Sequence, residues 1–232
     1  MTEEIDAILL DAGGTMFDLS PPREKVLSEL LAKHGLRAEP ARVARVLAKA
    51  DGAFDSEFAK LDGKHESAFW VKYDGFVLKE LGFDGNAKEF SREAEKVFDS
   101  IISKVESWVD YPDTRPTLEM LTKRDLTLGV VSNATDLAGR VLDNLGLTKF
   151  FDTIVLSDEV GVRKPSPKIF HIAAERAGVR PSRCLFAGDK LAVDVIGASR
   201  AGMNAVLIDR VGAFPKADCL RGKDLTIFKR FL

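Results

Sequence analysis

The chain has 232 residues, 45% hydrophobic and 30% charged, with a formal net charge of −2. That length gives one large domain or two small ones, and the charge balance excludes a global basic field for nucleic acid or an anionic membrane. Two cysteines make no disulfide framework, no apolar run nears the ~20 residues that span a bilayer, and the acidic start MTEEID lacks the regions of a secretory signal. The expectation is a cytoplasmic protein.

Ile5, Ala7, Ile8, Leu9 and Leu10 lead an apolar run that stops at Asp11 in DAGGT. A short apolar run ended by a charge and two glycines predicts a buried strand running into a loop. Asp11 then stands at the carboxyl end of that strand, where open α/β sheets place their ligands. Gly13 and Gly14 let backbone approach a small anion or metal, and Thr15 offers a hydroxyl.

Asp18 to Pro22 reads as a turn and helix start, with Asp18 capping the turn. Four helical stretches follow, at about 21–34, 40–60, 65–81 and 86–106. Apolar residues recur at helical spacing in each, for example Val26, Leu27, Leu30 and Leu31 in the first. Gly52 is placed to bend the second. Phe69, Trp70 and Tyr73 read as core of this bundle. Asp55, Glu57, Asp62 and Glu66 read as a solvated acidic face, and His34 as a cation at a helix end. His65 opens the third helix on the surface.

The pattern changes after Trp108. Tyr111-Pro112-Asp113 turns into a helix ending near Lys123-Arg124. Strands then alternate with helices: strand 126–131, helix 136–145, strand 153–156, helix from Ser166-Pro167 to Gly178, strand 184–187, helix 193–201 and strand 205–208. Ser166 is the expected N-cap, with proline at the first helical position. His171 on that helix and Cys184 in its strand read as structural. Alternation of this kind predicts an α/β fold, a doubly wound parallel sheet. The first strand has no partner in the bundle and must join the same sheet. The expected division is a core of 1–17 and 111–232, Rossmann-like, with a helical-bundle insertion over 18–110.

Several later strands end in, or feed, a polar motif. LGVVSNA ends at Ser132 and Asn133, Lys164 lies in VGVRKPSP, and CLFAGDKLAVD carries Asp189 at its tip and Asp194 at the next helix start. Parallel strands bring Asp11, Ser132, Lys164 and Asp189 to one edge. Two carboxylates there repel unless a cation lies between them. Oxygen ligands of this kind suit Mg²⁺, which binds through one or two carboxylates and a phosphate. The hydroxyls of Thr15 and Ser132, the Asn133 amide and Lys164 are the candidate phosphate holders.

Asp11 in DAGGT, Ser132 in VVSN, Lys164 in RKP and Gly188-Asp189 with Asp194 together resemble the four motifs of the haloacid dehalogenase-like hydrolase superfamily. The inserted bundle resembles its helical cap. The resemblance implies that Asp11 is a nucleophile forming an aspartyl intermediate, and that Ser132 and Lys164 bind the transferring group. It implies Mg²⁺ held by Asp11, Asp189 and the carbonyl of Gly13, with Asp194 supporting the metal or orienting Lys164. One position departs. Phosphatases of the superfamily carry a second aspartate, a general acid and base, where this chain has Gly13. Such help is worth about 10²–10⁴-fold.

The leading expectation is a Mg²⁺-dependent hydrolase of small phosphorylated metabolites. A 2-haloacid dehalogenase is the alternative, because those enzymes also lack the second aspartate; Arg42 or Arg45 would then bind halide, and Asp189 argues against it. A weakly active phosphate- or partner-binding protein is the third. His65 or an acidic residue of the bundle is the candidate replacement for the missing acid. Neither substrate identity nor oligomeric state is legible.

Overall fold

The computed structural model describes residues 4–61, 66–134 and 136–230, so Asp62 and His65 lie outside the described residues. In chain order the elements are β1 (Ala7–Leu10), β2 (Phe17–Leu19), α1 (Arg23–Lys33), α2 (Pro40–Phe58), α3 (Ser67–Glu80), α4 (Ala87–Ile102) and β3 (Trp108–Asp110). Then come α5 (Thr114–Leu121), β4 (Thr127–Ser132), α6 (Asp136–Asn144), β5 (Thr153–Leu156), α7 (Ser157–Val160) and α8 (Pro167–Ala177). The chain continues through β6 (Cys184–Gly188), α9 (Ile196–Arg200), β7 (Asn204–Ile208) and β8 (Arg221–Gly222). Among the described residues no helix is long and apolar enough to cross a membrane.

Six strands form one sheet in the order β5-β4-β1-β6-β7-β8, every pair parallel. All four residues of β1 are buried because both faces of the sheet are covered. Successive side chains point to opposite faces: Ile8 and Leu10 join the cluster of Leu118, Leu128 and Phe228, while Ala7 and Leu9 join that of Phe170 and Phe186. Register sets the working edge. Leu10 lies opposite Val130 of β4 and Ala187 of β6, so Asp11, one residue beyond, and Ser132 and Asp189, two residues beyond their partners, come out at the same edge. Strand order reverses at β1, which is where doubly wound sheets open a crevice.

The four long helices α1–α4 pack around Leu27, Leu31, Val43, Val77, Leu81 and Phe90. The chain leaves for them along β2 and returns along β3, an antiparallel ribbon that the sequence reading took for turns. Asp18 ties this neck rather than only capping a turn. One of its oxygens accepts from Leu19 N at 2.7 Å and the other from the Tyr111 hydroxyl at 2.7 Å.

Two sequence expectations change at the contact between bundle and sheet. Asp55 is not on a solvated face: it is 5% exposed and accepts a 2.5 Å hydrogen bond from Ala192 N. At Gly52, where α2 runs on without a break, a Cβ would collide with the Ala213 carbonyl, so glycine lets the helix lie against that loop. The helix expected from 193 begins with a π-helical turn, Leu191–Val195. Ser166 stands at the expected N-cap, but its side chain makes no capping bond. Glu57 and Glu66 are exposed or pair at the surface, and His34 ends α1 beside Glu93 at 2.7 Å.

Asp74 of α3 is buried in the bundle, and burial pushes its carboxyl up to about 6 despite the Ser91 hydroxyl. The folded state therefore holds the proton more tightly than the unfolded chain does. Stability contributed at low pH is lost as pH rises through that value. Asp74→Asn should raise stability at pH 8 by up to about 3 kcal/mol and by far less at pH 4. Urea midpoints at both pH values check this, and an Asn variant less stable than wild type at pH 8 would contradict it.

Candidate active site

Asp11 N still donates to Ala187 O at 2.8 Å, so the ladder continues to the nucleophile candidate before the chain turns away. Gly14 makes the turn at φ +77°, and a Cβ there would lie 2.6 Å from an Asp189 oxygen. Both facts require glycine. Gly13 differs. Its φ is ordinary, and a Cβ would meet only Trp108 at 3.8 Å and Phe17 at 3.9 Å. Backbone geometry therefore does not impose glycine at 13.

Lys164 reaches the strand edge from the loop before α8 and is 3% exposed. Its Nζ lies 2.6 Å from Asp11 Oδ1 and 2.7 Å from Asp194 Oδ1. Burial alone would push its pKa down, but Asp11 and Asp194 hold it above the usual lysine value. Asn133 fixes the loop that carries it. Its Nδ2 donates to Lys164 O and its Oδ1 accepts from Lys164 N, each at 2.7 Å. The side chain expected to bind substrate lines the cavity and clamps the lysine backbone.

Asp194 projects from the π-helical turn and is fully buried. One oxygen faces Lys164 and the other accepts from Lys190 N at 2.9 Å. Asp189 has a weaker cation, Lys190 Nζ at 3.7 Å. Burial pushes the Asp189 carboxyl up, and Asp11 and Asp194 add to that while Lys190 opposes it. Burial and the Asp11 charge likewise raise Asp194 against the pull of Lys164. Oxygens of Asp11, Asp189 and Asp194 all lie within 4.8 Å of one another. A hard divalent cation fits that set, because it relieves like-charge crowding that Lys164 only partly offsets. Asp11 and Asp189 are the better-placed ligands, since both Asp194 oxygens already face protein donors.

Above these groups lies a cavity of about 510 Å³. Its polar floor includes Asp11, Ser132, Asn133, Arg163, Lys164, Asp189, Lys190 and Asp194. Its other walls include Phe17, Phe58, Leu61, Trp70, Ile102, Trp108, Leu137, Val141 and Val193. The structure thus brings together Asp11, Gly13, Ser132, Asn133, Lys164, Asp189 and Asp194. It does not bring Thr15 there. Thr15 is fully buried, its hydroxyl has no hydrogen-bond partner among the described residues, and its carbonyl accepts from Arg210 Nη2 at 2.7 Å. Arg42 and Arg45 are also elsewhere: Arg42 donates to Leu81 O at 2.8 Å within the bundle, and Arg45 is exposed. His171 contacts Ala201 O at 3.0 Å and Cys184 is buried, away from the cavity.

Sequence reasoning missed Arg163, Lys190 and the aromatic wall. Arg163 and Lys190 adjoin motif residues, which was a usable signal. Trp70 packs against the bundle core, as expected, and also lines the cavity, because helical periodicity marks an apolar face without saying whether a bundle or a cleft covers it. Phe69 and Tyr73 are core, as expected.

A family model described as haloacid dehalogenase-like hydrolase matches residues 5–202. The chain is 31% identical over 215 residues to a glyceraldehyde 3-phosphate phosphatase of Methanopyrus kandleri, covering 89% of this chain and 84% of that one. It is 29% identical to a phosphoserine phosphatase of Thermus thermophilus, over 88% of each. Among solved structures, it resembles a phosphatase from Thermococcus onnurineus at TM-score 0.59 and 25% identity, covering 97% of both chains. An L-2-haloacid dehalogenase shares the fold at TM-score 0.65 and 22% identity, covering 99% of both. With the parallel sheet, the strand-edge carboxylates and a family match over most of its length, the chain belongs to the haloacid dehalogenase-like hydrolases.

Proposed function

We propose that this hydrolase is a Mg²⁺-dependent phosphatase of small phosphorylated metabolites in which Asp11 is the nucleophile. The carrying observation is Asp11 at the sheet edge, 2.6 Å from a buried lysine and within 4.8 Å of two further carboxylates, beneath a cavity of metabolite size. The phosphatase names of its relatives support the same reading.

In this reading Lys164 pairs with Asp11 and draws charge from the phosphoryl oxygens. Ser132 donates its hydroxyl to one of those oxygens. Asn133 keeps Lys164 in place through its backbone, and Asp194 orients the ammonium. Asp11 and Asp189, with the Gly13 carbonyl, would hold Mg²⁺. When bound, the ion supplies positive charge against the phosphoryl oxygens. Residues 18–110 act as a cap on a core of 1–17 and 111–232, hinged at the β2–β3 neck, and their closure excludes water. No observation at the site favours dehalogenation, since Arg42 and Arg45 lie off the cavity and Asp189 adds negative charge where a halide would leave.

Phosphate release should vanish with excess chelator and return with Mg²⁺; full activity in chelator would sink the metal assignment. Asp11→Asn should abolish turnover while leaving the thermal transition intact. Wild type should carry a hydroxylamine-labile phosphoryl adduct on Asp11 by mass spectrometry, and an adduct elsewhere would refute the nucleophile.

Hydrogen exchange with Mg²⁺ and a phosphate analogue should show new protection where α2 meets the 190–192 loop. Unchanged exchange there under saturating ligand would count against cap closure.

A further inference from the structure

The cavity is divided by chemistry. Its polar groups all lie on the floor, at the carboxyl edge of the sheet. The part supplied by the bundle and its neck consists of Phe58, Ala59, Leu61, Trp70, Ile102 and Trp108, and among the described residues it carries no charged or hydrogen-bonding side chain except the Trp indoles. The Trp108 Nε1 is already engaged, donating to Ile102 O at 3.1 Å. Aromatic rings meet the space in two pairs. Phe58 and Trp70 have centroids 6.3 Å apart, and Phe17 and Trp108 pack edge to face at 5.7 Å. Phe58 and Ile102, 38% and 37% exposed, both line this cavity. Apolar surface left open in a cleft marks what the cleft binds.

Phosphoryl transfer is in line, with attacking and leaving oxygens on opposite sides of phosphorus. With Asp11 attacking from the floor, the leaving oxygen points at the apolar wall. That wall offers it no proton among the described residues. Gly13, beside Asp11, has no side chain, although Trp108 and Phe17 leave ordinary contact room for a Cβ there. A leaving group that departs without a proton must be a weak base. A phenol, with a pKa near the ~10 of tyrosine, meets that condition. An alkanol, with a pKa of roughly 16, close to that of water, does not.

Two independent constraints therefore meet on one class. An apolar wall disfavours sugar and other polyol phosphates, and the lack of a proton donor on that wall among the described residues disfavours alkyl phosphates of any shape. We propose that the substrates are aryl phosphate monoesters, whose flat ring stacks between the Phe58–Trp70 and Phe17–Trp108 pairs. This rests on the phosphatase reading and narrows it. The steps balance. An Asp11 oxygen bonds to phosphorus as the bond from phosphorus to the aryl oxygen breaks, and that oxygen leaves with the electron pair as phenoxide. Water then attacks phosphorus, the bond to Asp11 breaks, and phosphate forms while Asp11 returns as carboxylate. The water supplies the proton that phenoxide or phosphate takes up from solvent, giving phenol and phosphate from ester and water.

The test measures phosphate release, with Mg²⁺, from 2-naphthyl, benzyl, acetyl and glycerol phosphates. Naphthyl phosphate has both features, benzyl phosphate has the ring with a poor leaving group, acetyl phosphate has a good leaving group without a ring, and glycerol phosphate has neither. Naphthyl phosphate should exceed glycerol phosphate at least about 100-fold in kcat/KM, the lower range of general acid help. Benzyl phosphate should compete with it for binding yet turn over slowly, and acetyl phosphate should turn over with a high KM. Phe58→Gln, at a half-exposed position, should raise KM for naphthyl phosphate by about tenfold, and by a larger factor than for acetyl phosphate. Gly13→Asp should narrow the gap between naphthyl and benzyl phosphates. Glycerol phosphate equal to or better than naphthyl phosphate would overturn the aryl assignment and leave the phosphatase reading standing. No release from any of the four, acetyl phosphate included, would overturn both.

Discussion

A lysine amino group with almost no access to solvent, held between two carboxylates, is the constraint on which this molecule depends. Lys164 lies 2.6 Å from Asp11 and 2.7 Å from Asp194. Removing Lys164 would leave two buried carboxylates uncompensated, which typically costs about 3–5 kcal/mol, whereas neutralising one carboxylate still leaves a lysine–carboxylate pair. The arrangement is costly to form, so the fold is arranged to hold it. Asn133 grips the Lys164 backbone on both sides, a π-helical turn presents Asp194, and Gly14 clears the space that Asp189 occupies. The net balance is still negative at the edge, because Asp189 is a third carboxylate with only Lys190 near it. That excess is what makes the site a natural place for a divalent cation.

The same edge couples to the helical bundle. Lys190 adjoins Asp189 in sequence and feels Asp51 and Asp55 of α2, while Ala192 N is bonded to Asp55. Arg23 and Tyr73 in turn hold Asp51, each at 2.6 Å. A polar seam therefore runs from the carboxylate centre into the bundle, beside an apolar cavity that the same helices roof. Seam and cavity have separate consequences. One sets where the bundle sits against the sheet, and the other sets what can lie between them.

Much of this was legible before any coordinates. Apolar runs of strand length ending in Asp11, Ser132 and Asp189 dictated the parallel sheet, and the sheet dictated their convergence. The four long helices followed from 3.6-residue periodicity, with ends displaced by a few residues. What the pattern missed shares a cause. Asp55 of α2 is buried against the sheet, and Trp70 of α3, which packs against the bundle core as expected, also reaches the cavity; the pattern of one helix does not say what covers each of its faces. Thr15 follows four residues after Asp11, but the turn at Gly14 sends it into the core. Asn133 adjoins a motif serine, and sequence adjacency does not distinguish a side chain that touches substrate from one that positions a neighbour. The β2–β3 neck was missed because three-residue strands carry too few residues for any period to register.

On the proposed reading, an Asp11 oxygen attacks phosphorus at a carboxylate cluster that would hold Mg²⁺. Beryllium fluoride with Mg²⁺ mimics an aspartyl phosphate without turning over, so a crystal structure of that complex tests the claim most directly. Beryllium should be bonded to an Asp11 oxygen, its fluorides near Ser132 and Lys164, with Mg²⁺ held by Asp11 and Asp189. Beryllium fluoride bound away from Asp11, or bound there with Mg²⁺ absent from Asp189, would contradict it.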